Sequence, residues 1–275
     1  MTCLQITQSF FTFIPEPYAM QAFLRKLNRF FVQGTKSTGQ LPPSEAAADE
    51  RTFEKYSFII GSVISYFNDL SSANKRKFVN RVHHFRQLKK FHFIGLENTE
   101  DIAILVSASA VQITFGLKDY YLHSFKDIYI LADAYHMDTD DELYIGHVAP
   151  DGIYLSWKHF LYGYAYRHDN VNVAVHEMAH ALLHNNYLSH FQSDAHFRLN
   201  YEKFSSKTGK IFADVITRRQ SYLRSYAFTN MHEFWAVSVE AFFENPAELR
   251  KHMPELFEAL CRVLNQDPSS PDKLL

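Results

Sequence analysis

Cysteine is nearly absent: Cys3 and Cys261 are the two in 275 residues. So far apart, they form neither a disulfide framework nor a thiolate metal site, and free thiols in a reducing compartment are expected. Nine glycines and nine prolines, with glycine well under the roughly 7% average, argue against a turn-rich all-β chain. No apolar run approaches the ~18 residues of a membrane span. The early run Phe10–Ile14 is too short for a signal-peptide core, and no basic residue precedes Arg25. A basic excess is also missing, with 28 Lys and Arg against 30 Asp and Glu and a formal charge of -2. Phosphate-backbone binding is thereby disfavoured as the main role. The expectation is a cytoplasmic protein with neither nucleic acid nor membrane among its partners.

Aromatic residues and histidine are plentiful, with 25 Phe, 16 Tyr and 15 His. Residues 1–44 read as an N-terminal arm: an aromatic start, a short basic amphipathic helix over 20–33, then a Gly/Ser/Thr/Pro linker over 34–44. Helical periodicity predicts helices over about 45–68, 72–92 (capped by Ser71 or Ser72), 98–115 (capped by Asn98 or Thr99, stopped at Gly116) and 169–187. Strands are predicted at 127–135, 142–149 and 152–157, with a hairpin turn at Pro150-Asp151-Gly152. Helices resume to about 265, and 269–275 reads as a frayed tail. The basic cluster Lys75, Arg76, Lys77, Arg81, Arg86, Lys89 and Lys90 is expected to form a solvated helix face.

The chemistry lies in "NVNVAVHEMAHALLH". His176, Glu177 and His180 form H-E-x-x-H inside an uninterrupted helical pattern. Two histidines one helical turn apart can converge on one cation, and Zn²⁺ accepts imidazole nitrogen while keeping a position open. Glu177, next to the first histidine, is placed to act as general base on a zinc-activated water. His184 lies too far along the helix to share the metal, about 12 Å of rise from His176. The position at which metzincins carry a third histidine is Asn186. His184 is therefore expected to support a ligand or simply to pack.

A third ligand must come from elsewhere, and "SYAFTNMHEFWAVSVEAFFENP" offers one. Thr229 or Asn230 can cap a helix on which Glu233, Val237 and Glu240 share a face. Either carboxylate would complete a His₂Glu zinc site, and both cannot bind one ion directly, being about 10.5 Å apart along the axis. Tyr226, just before this helix, could donate a hydrogen bond to an oxyanion.

Together "VAVHEMAHAL" and, about fifty residues on, "YAFTNMHEFWAVSVEAFFENP" resemble the Mlc titration factor A (MtfA) family of zinc-dependent peptidases. That family is a structural relative of the anthrax lethal factor catalytic domain. "KKFHFIG", "DIAILVSASAVQITFGLKDY", "DIYILADAY", "GIYLSW" and "MPELFEALCRVLNQDP" extend the resemblance over roughly 55–268. It implies one Zn²⁺ per chain held by His176, His180 and Glu233, with Glu177 as base and Tyr226 as transition-state donor. Glu240 is then left to accept a hydrogen bond from a ligating histidine or to pair with a nearby cation. The resemblance implies a zinc metallopeptidase acting on peptides or unstructured proteins. It also raises a transcription regulator as a partner, and hence the alternative of a zinc-containing regulatory protein with little turnover. The acidic residue that family members often carry shortly after the second histidine is replaced here by Leu182-Leu183-His184.

The expected architecture is α+β and zincin-like, mostly helical, with one domain over 45–268 and a small sheet beside the metal helix. An extended substrate is expected to add to an edge strand, and Gly152–Trp157, including Gly152, Ile153, Tyr154 and Leu155, is the predicted edge.

Overall fold

The structure is a computed structural model and describes residues 2–5, 47–97, 99–137, 142–166, 169–187, 194–218 and 222–270. The predicted helix over 20–33, the linker over 34–44, the cap Asn98 and the last five residues of the tail lie outside the described residues.

In chain order, β1 (Thr2–Gln5) precedes helices α1 (Glu50–Val63), α2 (Ser65–Asn68) and α3 (Ser72–Leu88). Next come β2 (Lys90–Ile94), α4 (Thr99–Thr114), β3 (Asp127–Leu131), β4 (Tyr135–His136), β5 (Leu143–Ala149) and β6 (Gly152–Ser156). Then follow α5 (Trp157–Ala165), α6 (Val173–Tyr187), α7 (Ala195–Arg218), a 3₁₀ turn at Ser225–Phe228, α8 (Met231–Glu244), α9 (Pro246–His252) and α10 (Pro254–Leu264). The expected α+β class holds: a mostly helical chain with one small mixed sheet. No helix among the described residues is long and apolar enough to cross a membrane.

Helix α4 is the centre of the body. Every residue from Ile102 to Thr114 is buried, which follows from a helix apolar nearly all round. Its Ser107, Ser109 and Thr114 hydroxyls donate to carbonyls one turn back, at 2.7–2.8 Å, so none of these three is stranded. The predicted helix over 45–68 divides at Ile64, whose backbone is extended. There Asn68 Nδ2 donates to Gly61 O, 2.9 Å away.

The basic helix face is not simply solvated. Arg81 donates to the carbonyls of Thr114, Phe115 and Leu117, satisfying the unpaired acceptors at the end of α4. Lys89 Nζ donates to Leu122 O and Phe125 O at 2.8 and 2.5 Å.

The sheet order is β1-β5-β6-β3-β2, with β4 also paired to β5. Strands β2, β3 and β6 run parallel; β5 is antiparallel to β6 and β1 antiparallel to β5. Pro150 and Asp151 form the two-residue turn between Ala149 and Gly152, as expected. One face presents Ile128, Ile130, Ile153, Leu155 and Val148, which join the main core. The other carries a row of stacked rings across four strands, His92, Tyr129, Tyr154 and His147, at successive centroid separations of 4.5, 4.4 and 4.2 Å.

This order corrects the edge assignment. Gly152, Ile153, Tyr154 and Leu155 belong to β6, which is paired on both sides, with β3 and with β5. Both rows of its backbone groups are engaged, so no peptide can add there. Two further elements depart from expectation: the helix predicted to 92 stops at Leu88 and gives way to β2, and α5 follows β6 where no helix was predicted.

Candidate metal centre

Helix α6 starts where Asn172 turns the chain inward. The Asn172 side chain accepts from Val175 N–H at 3.2 Å, capping an otherwise open helix end. Almost the whole helix is buried, His176, Glu177 and His180 included. Helix α8 packs against it. Asn230 caps α8 by accepting from the N–H groups of His232 and Glu233 at 2.9 and 3.0 Å. Trp235, fully buried, donates its indole N–H to Ala179 O at 2.9 Å. That bond ties the middle of α6 to the first turns of α8.

The docking brings three ligand-type atoms together. His176 Nε2 and His180 Nε2 lie 3.0 Å apart. Glu233 Oε2 lies 3.1 Å from the first and 3.4 Å from the second. These three are the one such group among the described residues. Ligands bound tetrahedrally at about 2.0–2.1 Å stand roughly 3.3–3.4 Å from each other. The observed separations thus suit a single small cation with three protein donors and an open position.

Glu240, two turns along α8, meets the other side of the His176 ring. Its Oε1 accepts from His176 Nδ1 at 2.5 Å and from Arg224 Nη2; its Oε2 accepts from Asn172 N–H at 2.7 Å. An ionised carboxylate can only accept, so Nδ1 carries a proton and Nε2 faces Glu233 and His180.

Burial and neighbours set the charges. Burial alone would lower the His176 pKa, but the carboxylates of Glu240 and Glu233 outweigh it and raise it to about 9. His180 is pushed down to about 4 by burial. Burial acts to raise Glu233, yet the two imidazoles hold it at about 2. Glu177 is raised to about 8, chiefly by burial, and both its carboxylate oxygens are buried without a hydrogen-bond partner. A buried carboxylate with no partner is costly, and here it sits one residue from the convergent nitrogens.

Strand β5 closes over Glu177 at Gly146. A Cβ there would lie 2.7 Å from Glu177 Cγ, 2.9 Å from Oε1 and 2.8 Å from Val173 Cγ2. Tyr226, half-buried in the 3₁₀ turn, has its ring centroid 6.1 Å from that of His176. The Arg224 guanidinium lies over the Tyr226 ring at 5.7 Å.

The structure therefore gathers His176, Glu177, His180, Tyr226, Glu233 and Glu240 in one place. Gly152 to Leu155 line the sheet interior instead. His184 is outside the cluster, its ring against Phe125 at 5.0 Å. Sequence reasoning did not pick out Asn172, Arg224 or Gly146. Glycine within a strand does mark close backbone approach, and Asn ahead of an apolar helix marks a cap; nothing local singles out Arg224.

Two histidines and a glutamate converging on a mixed α+β frame form a group able to hold one metal ion. Comparison with known proteins narrows this to a metallopeptidase family: residues 44–264 match the Glucose-regulated metallo-peptidase M90 family, and the chain belongs to it. This is the Mlc titration factor A family that the motifs resemble. The chain is also similar to an uncharacterized protein of Synechocystis sp., 22% identical over 230 residues, covering 76% of this chain and 83% of that one.

Proposed function

We propose that this chain is a zincin-like peptidase that hydrolyses peptide bonds with one Zn²⁺ held by His176, His180 and Glu233. What carries the reading is the pairing of two features: three mutually facing ligand atoms 3.0–3.4 Å apart and, beside them, a buried glutamate with no hydrogen-bond partner. A zinc ion held there would supply Lewis acidity, bringing the pKa of a water to about 7 and favouring ionised Glu177. Glu177 takes a proton from water as the oxygen attacks the scissile carbonyl carbon, and the C–N bond then breaks. The same carboxyl returns the proton to the departing amine, so no net charge is left on the protein. Tyr226 donates a hydrogen bond to the carbonyl oxygen as it gains negative charge. Glu240, held by Arg224 and Asn172, fixes the His176 ring and its tautomer.

Metal analysis with a peptide-library cleavage assay tests this. Wild-type chain should carry about one zinc and cleave, whereas Glu177→Gln should keep the zinc and lose on the order of 10²-fold or more in rate. Near-normal cleavage by Glu177→Gln would remove Glu177 as the base. Zinc without any cleavage in the wild type would favour the regulatory alternative.

A further inference from the structure

Strand β5 is the strand that touches the proposed base, through Gly146. One of its edges is used by β6, which pairs Gly146 to Ala149 with Leu155 to Gly152. Its start pairs with β4, Tyr144 with Tyr135. Tyr144 is also paired with Gln5 of β1. A strand residue has one neighbour on each side, so β4 and β1 lie on opposite edges of β5. Among the described residues, the outer edge of β5 is therefore covered by β1 alone. The register is Thr2 with Val148, Cys3 with His147 and Leu4 with Gly146, broken by a shift between Leu4 and Gln5. Leu4 is thus paired across the ladder with the glycine that lies against Glu177.

An uncovered strand edge offers a row of N–H and C=O groups that an extended chain can pair with. On the peptidase reading, the outer edge of β5, from Tyr144 to Val148, is the edge at which an extended substrate would pair, and we propose that Thr2–Gln5 is a built-in competitor for it. This rests on the peptidase reading of the site. Two observations favour competition over a permanent structural strand. The uninterrupted ladder is three residue pairs long before its register shifts. And β1 lies outside residues 44–264, the part that matches the metallopeptidase family. An occupant that leaves the edge open a fraction of the time weakens apparent substrate affinity by that fraction.

The test uses Glu177→Gln chains, so that binding is read without turnover, and fluorescein-labelled casein as an unstructured protein probe. Full-length Glu177→Gln is compared with the same chain lacking residues 2–5 and with its Cys3→Pro and Leu4→Pro forms. Proline removes one backbone N–H, and testing adjacent positions ensures that one of them is a ladder donor. Casein affinity, read by anisotropy, should tighten about five- to tenfold in the deletion and in at least one proline variant. Amide exchange over Tyr144–Val148 should speed up in the same chains. With Glu177 restored, KM should fall by a similar factor while kcat stays level, because β1 carries no catalytic group. Unchanged affinity on deletion, with or without faster exchange, overturns the proposal, as does failure of casein to bind any form. Tighter binding in the deletion with no cleavage by any Glu177 form would keep the docking edge and reject the peptidase reading instead.

Discussion

Glu233 and Glu240 stand seven residues apart on α8 and meet opposite nitrogens of the same imidazole. Glu233 Oε2 is 3.1 Å from His176 Nε2, and Glu240 Oε1 is 2.5 Å from Nδ1. The ring itself bridges the separation along the helix that rules out a shared ion, so one helix supplies both a ligand-type oxygen and the group that orients the His176 ring. Removing Glu240 leaves Arg224, Asn172 N–H and His176 Nδ1 without their acceptor; removing Glu233 takes away a donor from the cluster itself. Loss of an outer partner of this kind typically weakens metal affinity 10–100-fold. Glu233→Ala should therefore lose zinc to a chelator at a lower chelator concentration than Glu240→Ala, at fixed pH. If Glu240→Ala strips the metal and Glu233→Ala retains it, the division of roles is wrong. The sequence left these two carboxylates open until the family resemblance ranked them. Facing residues on one helix can be read from spacing, but which nitrogen each oxygen meets depends on how α8 docks on α6. The same dependence hides Arg224, whose partner Glu240 is sixteen residues on.

At the scale of elements, α6 and the helix carrying Glu233 were legible because their cause is local: an uninterrupted helical pattern and, for the second, a cap at Thr229 or Asn230, which the fold puts at Asn230. The strand order was not, because pairing is decided between segments far apart in sequence. Lys90 to Ile94 become β2 by pairing in parallel with Asp127 to Leu131. Lys89, the residue before them, is drawn to carbonyls 33 and 36 residues on. The same non-local pairing puts β6 between two neighbours and leaves β5, not β6, beside Glu177. Helix α5 was missed because "WKHFLYGYA" is aromatic and reads as a continuation of the strand. Its cap is Ser156, which accepts from His159 N–H at 3.4 Å. The contact of β5 with α6 is narrow enough to test. Gly146→Ala would place a methyl 2.7 Å from Glu177 Cγ and 2.8 Å from Val173 Cγ2, so these side chains, or the strand or helix that carries them, must shift. Overpacking of this kind costs about 1–3 kcal/mol, and here the displaced group is the proposed base. A lower Tm by thermal unfolding and at least a tenfold drop in peptide cleavage are expected. A variant with both values unchanged would show that β5 has room to spare over the site.

For the whole molecule, the cluster of His176, Glu177, His180 and Glu233 is an ionisable island between two buried helices, and its charge is coupled to pH. In the metal-free chain, His176 holds a proton up to about pH 9 and Glu177 up to about pH 8. A cation needs the His176 lone pair, so binding at pH 7 must expel at least that proton. The sign follows: metal affinity rises with pH below about 9, roughly tenfold per unit for each proton released. A ligand bound only by the folded chain adds RT ln(1 + [L]/Kd), about 4 kcal/mol at a thousandfold excess over Kd. The stabilisation by zinc should accordingly be largest near pH 8.5 and shrink toward pH 6.5. Below that window a separate effect intervenes. His147, lowered to about 4 by burial, is harder to protonate folded than unfolded. Its contribution is therefore complete above about pH 6.5 and is lost as the pH falls toward 4, with or without metal. Thermal unfolding with and without chelator at pH 6.5, 7.5 and 8.5, at one buffered free zinc concentration, isolates the metal term. Calorimetric titrations of zinc in two buffers of different ionisation enthalpy count the protons directly. A chelator-induced drop in Tm that is the same at all three pH values, with no proton released on binding, would mean that the metal does not occupy the place His176 holds its proton.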